Sequence, residues 1–227
     1  MSSQQQPEQP AESLLTPGVR VGGFTVIRAG EHELVLRARQ GVSIGLMVGG
    51  LLLAAWGAMA WFAVFRHGFD TAKLYKLATP LIGLFMVGGG IAQYLSLLVF
   101  DGSTHSLGSR LVTEDKTPGA RDKTRLFGTY HTVEVEILPN NLNQRETCIV
   151  RVLEPGSTQA RPKGVMIGQR RTNQDDVITL LAGAQHMAAL LDLPLLCKGE
   201  MQIAPEKVKE AYNRFCRNRA ESGVQPS

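Results

Sequence analysis

The sequence predicts an α+β membrane protein, in which a two-helix transmembrane hairpin interrupts a small, mostly antiparallel β-sheet or open barrel closed by one C-terminal helix. Three observations carry this. Two runs, residues 41–65 and 77–100, contain no Asp, Glu, Lys or Arg. Short alternating segments with turn residues lie on both sides of them. An apolar face at helical spacing follows near the C-terminal end.

Residues 1–18 are Gln/Pro-rich and polar, which predicts a disordered tail. Residues 19–40 hold a β-hairpin: Phe24, Val26, Leu34 and Leu36 alternate with other residues around Ala29-Gly30. Gly41 to Phe65 is 25 residues, roughly 37 Å as a helix, longer than the roughly 30 Å hydrocarbon core. Leu77 to Phe100 is similar at 24 residues. Trp56, Trp61 and Tyr94 suit bilayer interfaces. About forty polar residues precede the first run, which argues against a signal peptide. The link, residues 66–76, is only 11 residues long, so both termini lie on one side of the membrane. Small residues Gly45, Gly49, Gly50, Ala54 and Gly88 are the candidates for helix packing, within the hairpin or in a homodimer.

After the second span, Asp101-Gly102 is the turn of another hairpin. A charged linker, Glu114 to Arg125, precedes three strand-like runs, Thr129 to Leu138, Glu146 to Leu153 and Lys163 to Gln169, the first two divided by a turn at Pro139-Asn140-Asn141. The closing helix, residues 175–192, starts at an Asp175 or Asp176 N-cap. It carries Val177, Leu180, Leu181, Ala184, Ala188 and Leu191 on one face and ends before Pro194. On this reading Val133, Val135 and Ile137 pack against Leu180, Leu181 and Ala184. The domain then spans residues 101–197, and both spans join its sheet without a flexible linker. Residues 198–227 are a basic amphipathic tail, whose helix over Ala204 to Ala220 is expected to add little to the core.

The segments VFDGSTHSLGSR, Val99 to Arg110, and DDVITLLAGAQHMAALLDLPLL, Asp175 to Leu196, resemble the bacterial membrane-associated pleckstrin-homology-like domains in which a transmembrane hairpin interrupts the sheet. The resemblance covers roughly residues 22–197 and implies a pleckstrin-homology-like sheet closed by its helix. It supplies no catalytic residue. The photosystem assembly factor Ycf four has a similar plan on fewer shared features.

Net charge is +4, split +2 and +2 between residues 1–100 and 101–227, so no nucleic-acid partner is expected. Cys148, Cys197 and Cys216 form no CxxC or Cys/His cluster in sequence, which argues against a disulfide framework or a zinc site. His32, His67, His105, His131 and His186 fall in no HExxH pattern, and no GxSxG occurs. No catalytic residue, metal or cofactor is therefore expected. The bilayer is the expected partner, with an unidentified protein partner and a homodimer through the small-residue stripe as further readings. Arg161, Lys163, Arg170 and Arg171 bracket the third strand. With Lys207, Lys209, Arg214 and Arg217 they are the candidate contacts to an anionic surface. Five Lys/Arg flank the spans on the terminal side: Arg28, Arg37, Arg39, Arg110 and Lys116. Three lie in the link: Arg66, Lys73 and Lys76. The bias puts both termini in the cytoplasm and the protein in the inner membrane. The expected function is a membrane-anchored, non-catalytic binding or assembly module. A lipid-headgroup sensor is the alternative, and an enzyme with a dispersed site around His105 or His131 is a third reading.

Overall fold

A computed structural model describes residues 14–38, 40–67, 74–111, 125–140, 145–158 and 160–221. Most of the N-terminal tail, most of the interhelical link, the charged linker after residue 111 and residues 141–144 lie outside them. Two expectations change at these edges: Pro139 and Asn140, expected in a turn, end a strand paired with Glu146 and Arg145, and Leu15, expected in a disordered tail, is buried in the core. The chain divides into two compact units. The first takes its described residues from 1–37, 97–110 and 121–227, the second from 38–96 and 111–120.

The second unit is a helical hairpin, α1 (Gln40–His67) and α2 (Leu74–Leu95). Its stretches Ser43–Phe62 and Ala78–Leu95 are long and apolar enough to cross a membrane. Ser43, Gly50 and Gly57 are buried at seven-residue spacing, opposite Thr79, Gly83 and Gly90. That period is the one that keeps a seam facing its partner in left-handed packing. The backbones touch there. A Cβ on Gly50 would lie 2.6 Å from the Gly83 carbonyl oxygen, and one on Gly83 would lie 2.5 Å from Ala54 N. A Cβ on Gly57 would strike Pro80. Gly50 and Ala54, read from the sequence as packing residues, are therefore in the seam, and Gly49 borders Met86. Gly45 and Gly88 have nothing within 4 Å and face away from it. The reason is angular: Gly88 lies between Gly83 and Gly90 in sequence but on the other side of the helix.

The second span is shorter than its apolar run. Ser96 to Phe100 leave the helix and form most of β4 (Ser96–Asp101). Leu97, Leu98, Val99 and Phe100 are all buried, so both faces of this strand are covered. A strand buried on both faces reads as an unbroken apolar run, which periodicity cannot tell from the end of a helix.

The first unit contains two sheets. One has six strands in the order β1 (Arg20–Val21), β2 (Phe24–Ala29), β3 (Glu33–Ala38), β4, β5 (Ser106–Leu111) and β6 (Arg125–Leu126). The two expected hairpins are β2–β3 and β4–β5, and β3 pairs antiparallel with β4 across the inserted hairpin, Val35 opposite Val99. The other sheet has the order β10-β7-β8-β9, from β7 (Thr132–Asn140), β8 (Arg145–Leu153), β9 (Gly164–Arg171) and β10 (Leu195–Lys198). Its strands β7, β8 and β9 pair antiparallel, while β10 runs parallel to β7. The fold is thus α+β, with an antiparallel meander and a mixed sheet. The very short β1 and β6 and the parallel β10 have no alternation to announce them.

Helix α3 (Gln174–Leu191) lies on the inner face of the mixed sheet. Val133, Val135 and Ile137 share one core with Leu180, Leu181 and Ala184, as expected. Its start differs from expectation. The N-cap is Asn173, without a side-chain cap bond, and Asp175 and Asp176 sit in the first turn. Carboxylates are favourable in the first turn because of its exposed N–H groups and the helix dipole, so they mark a start without defining it. Asp192 closes the helix in the left-handed conformation, φ 50°.

The largest departure from expectation is α4 (Glu206–Glu221). Met201, Ala204, Val208 and Tyr212 are buried members of the main core. Residues 204–220 are therefore a part of the domain and not a loose tail. The cause is the burial pattern of α3, whose residues 180–184, 186–188 and 190–191 are all buried. A helix buried nearly all round needs cover beyond what the sheet gives, and α4 packs against it.

Candidate functional site

The expected cationic residues do not gather in one place. Arg161 and Lys163 precede β9, and Arg170 and Arg171 end it. At about 3.3 Å per residue, the eight-residue strand separates the two pairs by roughly 25 Å. Arg170 also has an Asp176 carboxylate at 4.0 Å. On α4 the arrangement is tighter. Lys207, Arg214 and Arg217 are exposed and fall with Glu210 at spacings of three, four and three, one face of a helix. Lys209 is half-buried and lies off that face. The apolar side of α4 is occupied by the core, so this helix has no second apolar face to lay on a bilayer.

Three histidines serve the fold. His186 is buried, and its Nε2 lies 3.1 Å from the Gly30 carbonyl oxygen. His105 and His131 place Nδ1 2.9 Å from the Leu190 oxygen and 3.1 Å from the Leu153 oxygen. Each imidazole ties two segments together through a main-chain carbonyl. Among the described residues no group of three or more His, Cys, Asp or Glu is arranged to hold a metal ion.

Two polar features of the domain had no signal in the sequence. Glu134 on β7 is almost fully buried, paired with Arg151 at 3.3 Å and with Lys198, while Arg151 also reaches Glu136 at 2.6 Å. The pairing follows from register. Glu134 is opposite Arg151, and Lys198 is opposite Glu136, so opposite charges share one face. The second is Glu146, buried at the start of β8, whose carboxylate accepts from Gln202 N at 2.5 Å and Ala204 N at 3.2 Å. It fixes the segment that leads into α4. Neither could be foreseen without the strand registers.

A third grouping joins residues far apart in the chain. The Tyr212 hydroxyl on α4 donates to the Gly199 carbonyl at 2.9 Å. Cys216, one turn further along the same face, shares a hydrogen bond with that hydroxyl. Cys197 on β10 and Cys148 on β8 are both close enough to act on the phenol electrostatically. Burial, reinforced by Cys216, raises the Tyr212 pKa above the ordinary phenol range. Burial, with Cys216 nearby, pushes the Cys148 thiol up to about 12. All three cysteines of the chain thus bear on one tyrosine, Cys216 by a hydrogen bond and the other two through charge. No sequence spacing brings them together; the parallel β10 and the docking of α4 do.

No family model, curated protein or solved structure matches this chain.

Proposed function

We propose that this chain is a two-span integral membrane protein whose pleckstrin-homology-like domain stands on the cytoplasmic side and acts as a non-catalytic, membrane-anchored binding or assembly module. The observation that carries the reading is the outer surface of the hairpin. Leu52, Met59, Phe62, Leu84 and Phe85 are exposed there, Phe85 at 81%. Large apolar side chains exposed along the length of two helices match hydrocarbon rather than water. The seam between the helices is glycine-rich and tight, as expected where close packing holds helices together in lipid. His105, His131 and His186 and the buried carboxylates Glu134 and Glu146 are engaged in holding the fold, which favours binding over catalysis.

Two measurements test this. The full chain should remain in the membrane pellet after alkaline carbonate extraction and leave it only with detergent. Release by carbonate alone would contradict the integral assignment. Cross-linking in intact cells followed by detergent purification should then give a reproducible protein partner that a hairpin-only control lacks. A partner profile identical to that control would contradict the module reading.

A second reading, recognition of anionic headgroups, is favoured by the single exposed face shared by Lys207, Arg214 and Arg217. Reconstituted full-length protein would then recruit anionic vesicles more than neutral ones, with the difference lost when the three become Gln. Equal recruitment would contradict it.

A further inference from the structure

We propose that Cys197 and Cys216 form a thiol-oxidation site, in which a peroxide-class oxidant converts the pair into an intrachain disulfide that staples α4 to strand β10. Cys197 and Cys216 are both partly buried at the margin of the core, on elements that Tyr212 links. Cys197 is opposite Val135, a core residue of β7, so its side chain projects to the inner face where α4 lies. Cys216 follows Tyr212 by four residues and shares its helix face. Tyr212 is anchored to the Gly199 carbonyl, two residues beyond Cys197. The phenol therefore ties the helix that carries Cys216 to the end of the strand that carries Cys197.

Accessibility separates the third thiol from these two. Cys148 is fully buried, while Cys197 and Cys216 are each half-buried. An oxidant from solvent reaches only the latter two. The Cys148 thiol also stays protonated at neutral pH, and a protonated thiol is a poor nucleophile.

The chemistry balances with peroxide as the only oxidant. The Cys216 thiolate attacks one peroxide oxygen, an S–O bond forms, the O–O bond breaks, and the leaving hydroxide takes a proton to become water. The Cys197 thiol then attacks the sulfenic sulfur. The S–S bond forms, the S–O bond breaks, and a second water leaves with the thiol proton. Two thiols and one peroxide give one disulfide and two waters. Closure requires the two Cα atoms to settle at about 4–7 Å.

The test uses the full-length protein in detergent, treated with hydrogen peroxide, alkylated and digested without reduction. Mass spectrometry should find a peptide pair linked through Cys197 and Cys216, with Cys148 alkylated only after denaturation. The Cys197→Ser variant should show no linked pair and should retain a Cys216 sulfenic acid that dimedone traps. The linked wild-type protein should melt several degrees higher than the reduced protein, and dithiothreitol should reverse that shift. Absence of the linked pair, linkage through Cys148, or links only between molecules would overturn the proposal.

Discussion

The side chain that most sharply separates a docked α4 from a loose tail is Tyr212. It is only 2% exposed, and its hydroxyl donates to the Gly199 carbonyl at 2.9 Å. Tyr212→Phe keeps the ring and removes the donor to that carbonyl. A lost hydrogen bond of this kind costs about 1–2 kcal/mol. Tyr212→Ala also empties the ring's volume beside Val208 and Met201, and large-to-small aromatic changes in cores cost about 3–5 kcal/mol. For a domain of this size each kcal/mol moves the melting temperature by about 2–4 °C. The expected losses are therefore about 2–8 °C for Phe and about 6–20 °C for Ala. Cys148 supplies the assay. Its thiol is fully buried, so a maleimide dye that fluoresces on reaction will report the unfolding of the detergent-solubilised chain. A Cys197→Ser, Cys216→Ser background removes the two more accessible thiols. If Tyr212→Ala in that background melts within 2 °C of its parent, α4 is not part of the core and the account of the domain is wrong.

Further outcomes follow from other contacts. Gly83→Leu places a side chain against Ala54 N and the Gly50 oxygen, backbone atoms that cannot yield, and should loosen the hairpin, whereas Gly88→Leu, with nothing within 4 Å, should not. Disulfide trapping between cysteines placed at positions 47 and 86 should drop only in the first variant. Leu181→Asp puts a carboxylate at a site 3% exposed and should abolish a cooperative melt or lower it by well over 10 °C, read by the same dye. Stability should fall between about pH 9 and about 12, because the unfolded Cys148 thiol releases its proton near 9.0 and the folded one near 12. Below that window both states are protonated and the thiol has no effect. Cys148→Ala should show a shallower alkaline loss by calorimetry, and parallel pH profiles would refute the assignment.

The parts of the fold that were legible are those with a period. The hairpins around Gly30 and Gly102, the strands that became β7, β8 and β9, and α3 all carried alternation or helical spacing. Their partners in the core, Val133 and Val135 against Leu180 and Leu181, followed from it. What escaped was set by tertiary context. Strand β4 hid at the end of an apolar run because both its faces are buried. Strand β10 is four residues whose pairing depends on a parallel crossover through α3. Helix α4 looked like a solvent-facing basic helix, since its apolar stripe is narrow; the stripe suffices because it covers a helix whose other sides are already occupied. The cationic candidates illustrate the same limit. Arg161 and Lys163 are near Arg170 and Arg171 in sequence, yet an extended strand holds them apart. The shared bearing of Cys148, Cys197 and Cys216 on Tyr212 was invisible for the opposite reason, since nothing in the linear spacing hints at it.

The central claim is that the hairpin crosses the membrane with both ends of the chain in the cytoplasm. It is tested most directly by impermeant thiol labelling of intact cells, with single cysteines in a chain whose native cysteines are Ser. One variant carries Thr71→Cys in the link between the helices, the other Asn213→Cys on the exposed side of α4. The account predicts labelling at position 71 in intact cells and at position 213 only after the membrane is permeabilised. Labelling at 213 with protection at 71 would place the domain outside, and equal labelling of both only after permeabilisation would mean that the hairpin does not cross the bilayer.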